Sequence, residues 1–230
     1  MIELLDAVKT YTQGRRTVNA VRGVTLRVET GEFVTIMGPS GSGKSTLMHL
    51  MGALDTPSGG RAVFHGQDLQ TMSDRQRSLL RRDRIGFVFQ AFNLLPTLTA
   101  AENVALPLLL GGMNRRLALT RATECLEKVN MGHRTTHFPD ELSGGEMQRV
   151  AVARALVADP EAVLCDEPTG NLDTATSREI LSLLGALPEP GKRAVVMVTH
   201  DPTAAAYGTR IVRIRDGLVE SDEPVLNRTR

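Results

Sequence analysis

Phe33-Val-Thr-Ile-Met-Gly-Pro-Ser-Gly-Ser-Gly-Lys-Ser-Thr46 decides how the rest of the chain is read. The first five residues are nearly all apolar, as in a strand buried on both faces. The next nine fit the pattern G-x-x-x-x-G-K-[ST], and residues 45–51 begin a helix. Such a turn is built to capture anions. Glycines let the backbone curl without Cβ clashes. Successive N–H groups converge on one point, and the helix behind them adds its positive end. Gly38, Pro39, Ser40, Gly41, Ser42 and Gly43 thus form a candidate cradle for a phosphate chain. Lys44 is positioned to reach the outer phosphates, Ser45 to ligate Mg²⁺, and Thr46 completes the pattern. The plain alternative is a Gly/Ser loop with an incidental lysine; the flanking strand and helix argue against it.

Bulk composition narrows the function little. The 230 residues carry a net charge of +1, from 27 basic and 26 acidic side chains, too balanced to suggest a nucleic-acid partner. Aromatics are 3 % with no Trp, which speaks against a base-stacking platform. Cys125 and Cys165 fit no metal-ligand spacing, and a disulfide framework is implausible. The opening residues carry Glu3 and Asp6 where a secretory leader needs basic then apolar residues. The most apolar run, residues 104–110, contains Pro107 and falls far short of the ~20 residues that span a bilayer. A chain soluble by itself is expected.

Outward from the loop, period-2 and fully apolar runs predict strands at 24–28, 85–89, 162–165 and 194–199, with 62–64 as an edge strand. A final pair, 211–214 and 218–220, flanks the hairpin turn Asp216-Gly217. Ser73 caps a helix to about 82, Thr99-Ala-Ala-Glu102 has capping-box spacing, and Asp173 caps a helix to about 187. Two more helices are predicted over 119–129 and 143–158, and the polar residues from Ser221 read as a loose tail. Buried strands alternating with helices imply an α/β fold on a largely parallel sheet. The expected plan is one unit: a core of residues 1–92 and 158–220 with an antiparallel N-terminal β region, an inserted helical block at 93–157, and a tail at 221–230.

Four further segments carry chemistry. The strand Ala162-Val-Leu-Cys-Asp-Glu167 ends in two carboxylates: Asp166 to hold Mg²⁺, Glu167 to polarise an attacking water as general base. Gln90 ends another strand, and its amide can touch Mg²⁺; a merely exposed loop amide is the alternative. Ser143, Gly144, Gly145 and Glu146 open a helix and make a second anion-binding cap, unless they are only a glycine-rich helix start. One triphosphate rarely needs two such caps in one chain, so the second is expected to serve a nucleotide held by another subunit. His200 follows a strand and can hydrogen-bond a γ-phosphate. His49, His65, His133 and His137 read as structural or exposed.

Together these segments resemble the nucleotide-binding subunit of an ATP-binding-cassette (ABC) transporter, in order and over essentially the whole chain. Residues 38–46 match its Walker A loop, Gln90 the Q-loop and residues 142–146 the family signature. Residues 163–167 match Walker B, Asn171-Leu-Asp173 the D-loop, and His200 the switch histidine. Tyr11 sits where the family places an aromatic that stacks on adenine. The resemblance implies a P-loop NTPase domain with a RecA-like core, using ATP and Mg²⁺. It also implies a homodimer in which each ATP lies between Lys44 of one copy and residues 143–146 of the other. The segment from Phe87 to Val104 is similar to the subfamily serving lipoprotein release, macrolide-type efflux and the FtsE/FtsX division system. That implies a separate transmembrane permease of FtsX/MacB/LolC-like type and a place on the cytoplasmic face of the inner membrane. The alternatives are a soluble iron–sulfur-assembly ATPase, a ribosome-associated ATPase and a pseudo-ATPase. Residues 93–104 argue against the first, a single cassette without a long coiled coil against the second, and intact Lys44, Asp166, Glu167 and His200 against the third.

Overall fold

A computed structural model describes residues 1–14 and 16–226. Among them, β1 (Ile2–Gln13) and β2 (Arg16–Val28) pair antiparallel, and β3 (Phe33–Met37) leads through the glycine-rich loop into α1 (Lys44–Met51). After β4 (Gly59–Phe64) and the two-residue β5 (Gln67–Asp68), α2 (Asp74–Arg84) runs into β6 (Ile85–Phe89). Three helices come next: α3 (Ala100–Leu110), α4 (Arg115–Lys128) and α5 (Gly144–Leu156). The chain then alternates β7 (Ala162–Asp166), α6 (Thr174–Gly185), β8 (Ala194–Thr199) and α7 (Pro202–Ala205), and closes with the hairpin of β9 (Arg210–Arg215) and β10 (Leu218–Pro224).

The strands form two sheets, one of order β2-β1-β4-β5 and antiparallel, the other of order β10-β9-β3-β8-β7-β6. In the second, every pair from β9 to β6 is parallel and only β10 runs against its neighbour. β3, β6, β7 and β8 read as nearly continuous apolar runs because both faces are covered. Val195 and Met197 face one core, with Val163, Cys165, Val104, Leu126 and Val150; Val196 and Val198 face the other, with Leu164, Leu47, Met51 and Leu26. Cys165 is fully buried there, the packed small residue its setting suggests. Helices α3, α4 and α5 pack on one another, and α5 also lies on β6 and α6.

Several expectations are corrected. β1 spans twelve residues that the sequence did not mark as a strand, and β2 begins at Arg16 rather than 24. Residues 62–64 belong to β4, which lies between β1 and β5 instead of at the edge. α4 starts at Arg115, capped by Asn114. The polar tail is ordered as β10 to Pro224, because Ser221, Asp222 and Glu223 pair with Arg213, Val212 and Ile211; residues 227–230 lie outside the described residues. The capping boxes at Ser73 and Thr99 are both present.

Gly86 of β6 lies against the carbonyl of Ala155 in α5, so closely that a Cβ would overlap it. Gly86→Ala must push α5 off the sheet and should destabilise the protein by about 1–3 kcal/mol, read from the midpoint of urea unfolding.

Candidate active site

The loop after β3 is shaped by close backbone approach. A Cβ on Gly38 would overlap the carbonyl of Ile214, and one on Gly43, at φ 100°, the carbonyl of Ala20. Pro39, Ser40 and Gly41 are exposed, whereas Ser42 and Lys44 are buried. The Lys44 ammonium donates to the carbonyls of Gly38 and Pro39 at 2.8 and 2.9 Å. Ser42 Oγ is buried with no hydrogen-bond partner among the described residues. An orphaned buried hydroxyl in this glycine-rich loop is costly for the fold and fits an anion ligand.

Beside the loop, Ser45 Oγ donates to Asp166 Oδ1 at 3.1 Å. Burial pushes the Asp166 carboxyl above its ordinary range, and neighbouring Glu167 pushes the same way; Ser45, His49 and Lys44 oppose them. A buried acid beside a hydroxyl is a hard-oxygen pair suited to Mg²⁺. Glu167 adopts φ 45°, unusual for a non-glycine residue, while its N–H is fixed to the carbonyl of Val198 at 2.9 Å. Its Oε1 lies 2.8 Å from His200 Nδ1. Acid, metal-type pair and histidine thus meet at the carboxyl ends of β7 and β8, next to the loop from β3.

Other predicted residues lie around this centre. Gln90 hydrogen-bonds Asn171. The Asp173 carboxylate is engaged in capping α6, accepting from the Ala175 and Thr176 N–H groups and the Thr176 hydroxyl. Tyr11 donates to Asp55 at 3.0 Å, and Lys9, ion-paired to Asp55 at 2.6 Å, stands 5.1 Å from the ring centre. At α5, Ser143 and Glu146 form a reciprocal capping box, and Arg134 pairs with Glu146 at 2.9 Å. The Ser143 N–H, then its hydroxyl and Arg134, hold the Glu146 carboxyl below its ordinary range. Among the described residues no hydrogen bond or ion pair joins 143–146 to 38–46.

Lys9, Asp55 and Arg134 join these residues through contacts that sequence spacing does not reveal; Asn171, matched to the D-loop by resemblance, meets Gln90, and His49, read as structural or exposed, bears electrostatically on the Asp166 carboxyl. Sequence reading passed over Gln148, fully buried and donating to the carbonyl of Pro168 at 2.6 Å. Gln148, Val152 and Ala155 recur at helical spacing on the buried face of α5, a signal that could have marked it.

The family model described as ABC transporter matches residues 21–170, from β2 through the loop, Gln90, the α5 cap, Asp166 and Glu167. The chain belongs to the ABC transporter family. It is 52 % identical to an uncharacterized ABC transporter ATP-binding protein of Thermotoga maritima, over 97 % of this chain and 95 % of that one. It is 47 % identical to the macrolide export ATP-binding/permease protein MacB of Syntrophobacter fumaroxidans, covering 96 % of this chain but only 31 % of MacB. The cassette MJ0796 of Methanocaldococcus jannaschii, solved as a post-hydrolysis dimer bound to ADP and Pi, superposes with a TM-score of 0.90 at 44 % identity, over 98 % of this chain and 99 % of that one.

The raised Asp166 carboxyl has a stability consequence. An acid titrating higher when folded than when unfolded binds more protons in the folded state, so stability falls as pH rises through that interval. Without divalent cation, Asp166→Asn should raise Tm at neutral pH. The gain should vanish as pH drops towards the ordinary carboxylate value of 3.8, checked by thermal melts across pH.

Proposed function

We propose that this chain is the ATP-hydrolysing subunit of an ABC transporter, dimerising on ATP and driving a separate membrane permease. The convergence of Lys44, Ser45, Asp166, Glu167 and His200 at neighbouring strand ends carries this reading. In it, the loop N–H groups, the Ser42 hydroxyl and Lys44 hold the β- and γ-phosphates. Tyr11 stacks on the adenine. Ser45, Asp166 and Gln90 would hold Mg²⁺, which when bound would neutralise charge on the phosphate oxygens. Glu167 accepts a proton from water as the water oxygen bonds the γ-phosphorus and the bond to the ADP oxygen breaks. His200, which touches Glu167 in this protomer, turns to the γ-phosphate. Ser143, Gly144, Gly145 and Glu146 approach that phosphate from a second copy, with Asp173 beside them, and close each site.

The helical unit, residues 93–157, moves against the core as the dimer closes. In this reading the core takes in 1–92 and 158–220, with β10 continuing it to Pro224. A groove lined by Phe87, Phe89, Pro107 and Arg154 runs beside the helical unit and suits a permease contact. No helix among the described residues is long and apolar enough to cross a membrane. MacB relatives join ATP-binding and permease parts in one name, and this chain spans about a third of their length. In this reading the permease is of FtsX/MacB/LolC-like type and carried on a separate polypeptide, and the subunit works peripherally on the cytoplasmic face of the inner membrane.

Glu167→Gln tests the assignment. It should bind ATP nearly as well as the parent, accumulate an ATP-dependent dimer in sedimentation velocity, and lose at least ~100-fold in hydrolysis rate. Hydrolysis at the parent rate contradicts the general-base role.

A further inference from the structure

Gln90 and Asn171 are joined by two amide hydrogen bonds across 81 residues of sequence. Asn171 Nδ2 donates to the Gln90 backbone carbonyl at 3.0 Å, and Gln90 Nε2 donates to Asn171 Oδ1 at 3.0 Å. The two bonds have a fixed logic. A backbone carbonyl can only accept, so Asn171 must turn its NH₂ to it. That leaves Asn171 Oδ1 facing Gln90, and an oxygen there requires the Gln90 NH₂. The Gln90 atom left uncommitted is Oε1, the only atom of the amide able to ligate a hard cation. Packing supports the arrangement from the other side: a Cβ on Gly170 would come within 2.7 Å of Gln90 Nε2, so the amide lies directly on the loop after Glu167.

We propose that Asn171 is a positioning residue that fixes the orientation of the Gln90 amide, so that its oxygen and not its NH₂ is presented to the divalent cation. This rests on the reading of Gln90 as a cation contact given above. Without Asn171 the two amide orientations are close in energy, and one of them puts a repulsive N–H against the metal. The loop from Glu167 to Asp173 thereby couples the general base to the metal ligand through one side chain.

A double-mutant cycle separates orientation from mere support. A carboxylate at position 90 offers oxygen in either orientation, so Gln90→Glu removes the need for Asn171. The measurement is the Mg²⁺ concentration that half-saturates ATP-driven dimerisation, by sedimentation velocity, with all variants in the full-length Glu167→Gln background. Asn171→Leu should raise that concentration about tenfold with Gln90 present, as loss of an outer-shell partner does, and less than about twofold with Gln90→Glu. Gln90→Ala should raise it at least as much as Asn171→Leu. An equal cost of Asn171→Leu in both backgrounds means simple loop support and overturns the proposal. No cost in either, with Gln90→Ala impaired, overturns it alone. An unimpaired Gln90→Ala overturns the cation role of Gln90 and the proposal with it.

Discussion

Along β8, Thr199 pairs with Met37 of β3 and Val198 with Asp166 of β7, so the three strands end almost level. The next residues, Gly38, Glu167 and His200, leave the sheet side by side. Parallel register is set by buried alternation: a shift of one residue in β8 would swap Val195 and Met197 with Val196 and Val198 between the two cores. The packing of two hydrophobic layers therefore fixes the placement of the phosphate loop, the general-base candidate and the histidine. Phe89 pairs with Asp166 in the same ladder, which brings Gln90 to the same edge.

Electrostatics at that edge oppose the fold. A buried lysine rests on two backbone carbonyls, a carboxyl is pushed up by burial, and a buried hydroxyl has no partner among the described residues. In the reading proposed above, a phosphate chain and a divalent cation would meet these groups, as expected where function is set against stability. The α5 cap opens a helix that packs on one face of the same sheet. It is tied to the loop after β7 through Gln148 on Pro168 and through Gly144 beside Leu172.

How much of this was legible in sequence depended on locality. The spans of β3, β6 and β8, the capping boxes and the phosphate loop are local patterns, and they stand where the sequence put them. The strand β1 escaped because register shifts between Leu4 and Val8 and between Lys9 and Thr10 break its alternation. The end of β10 escaped because Ser221, Asp222 and Glu223 are polar and are held by ladder bonds instead of burial. Within the site, residue types were readable but partners were not: Gln90 with Asn171, Tyr11 with Asp55 and Lys9, and Arg134 with Glu146 are all pairings that only the fold creates. The Gln90 amide also engages Asn171 through its NH₂, which leaves its oxygen for the metal contact that its position suggests.

In the composite site proposed above, residues 143–146 complete the nucleotide site of a second copy, and Gly144→Asp decides whether they do. Gly144 is the first residue of α5, where an acid suits the helix, and a Cβ there meets nothing nearer than 3.4 Å. The fold and ATP binding by one protomer should survive, but the new carboxylate would face the partner's phosphates. In the Glu167→Gln background, sedimentation equilibrium with ATP and Mg²⁺ should then show a monomer that still binds ATP. An ATP-induced dimer as tight as that of the parent Glu167→Gln protein would contradict the composite site.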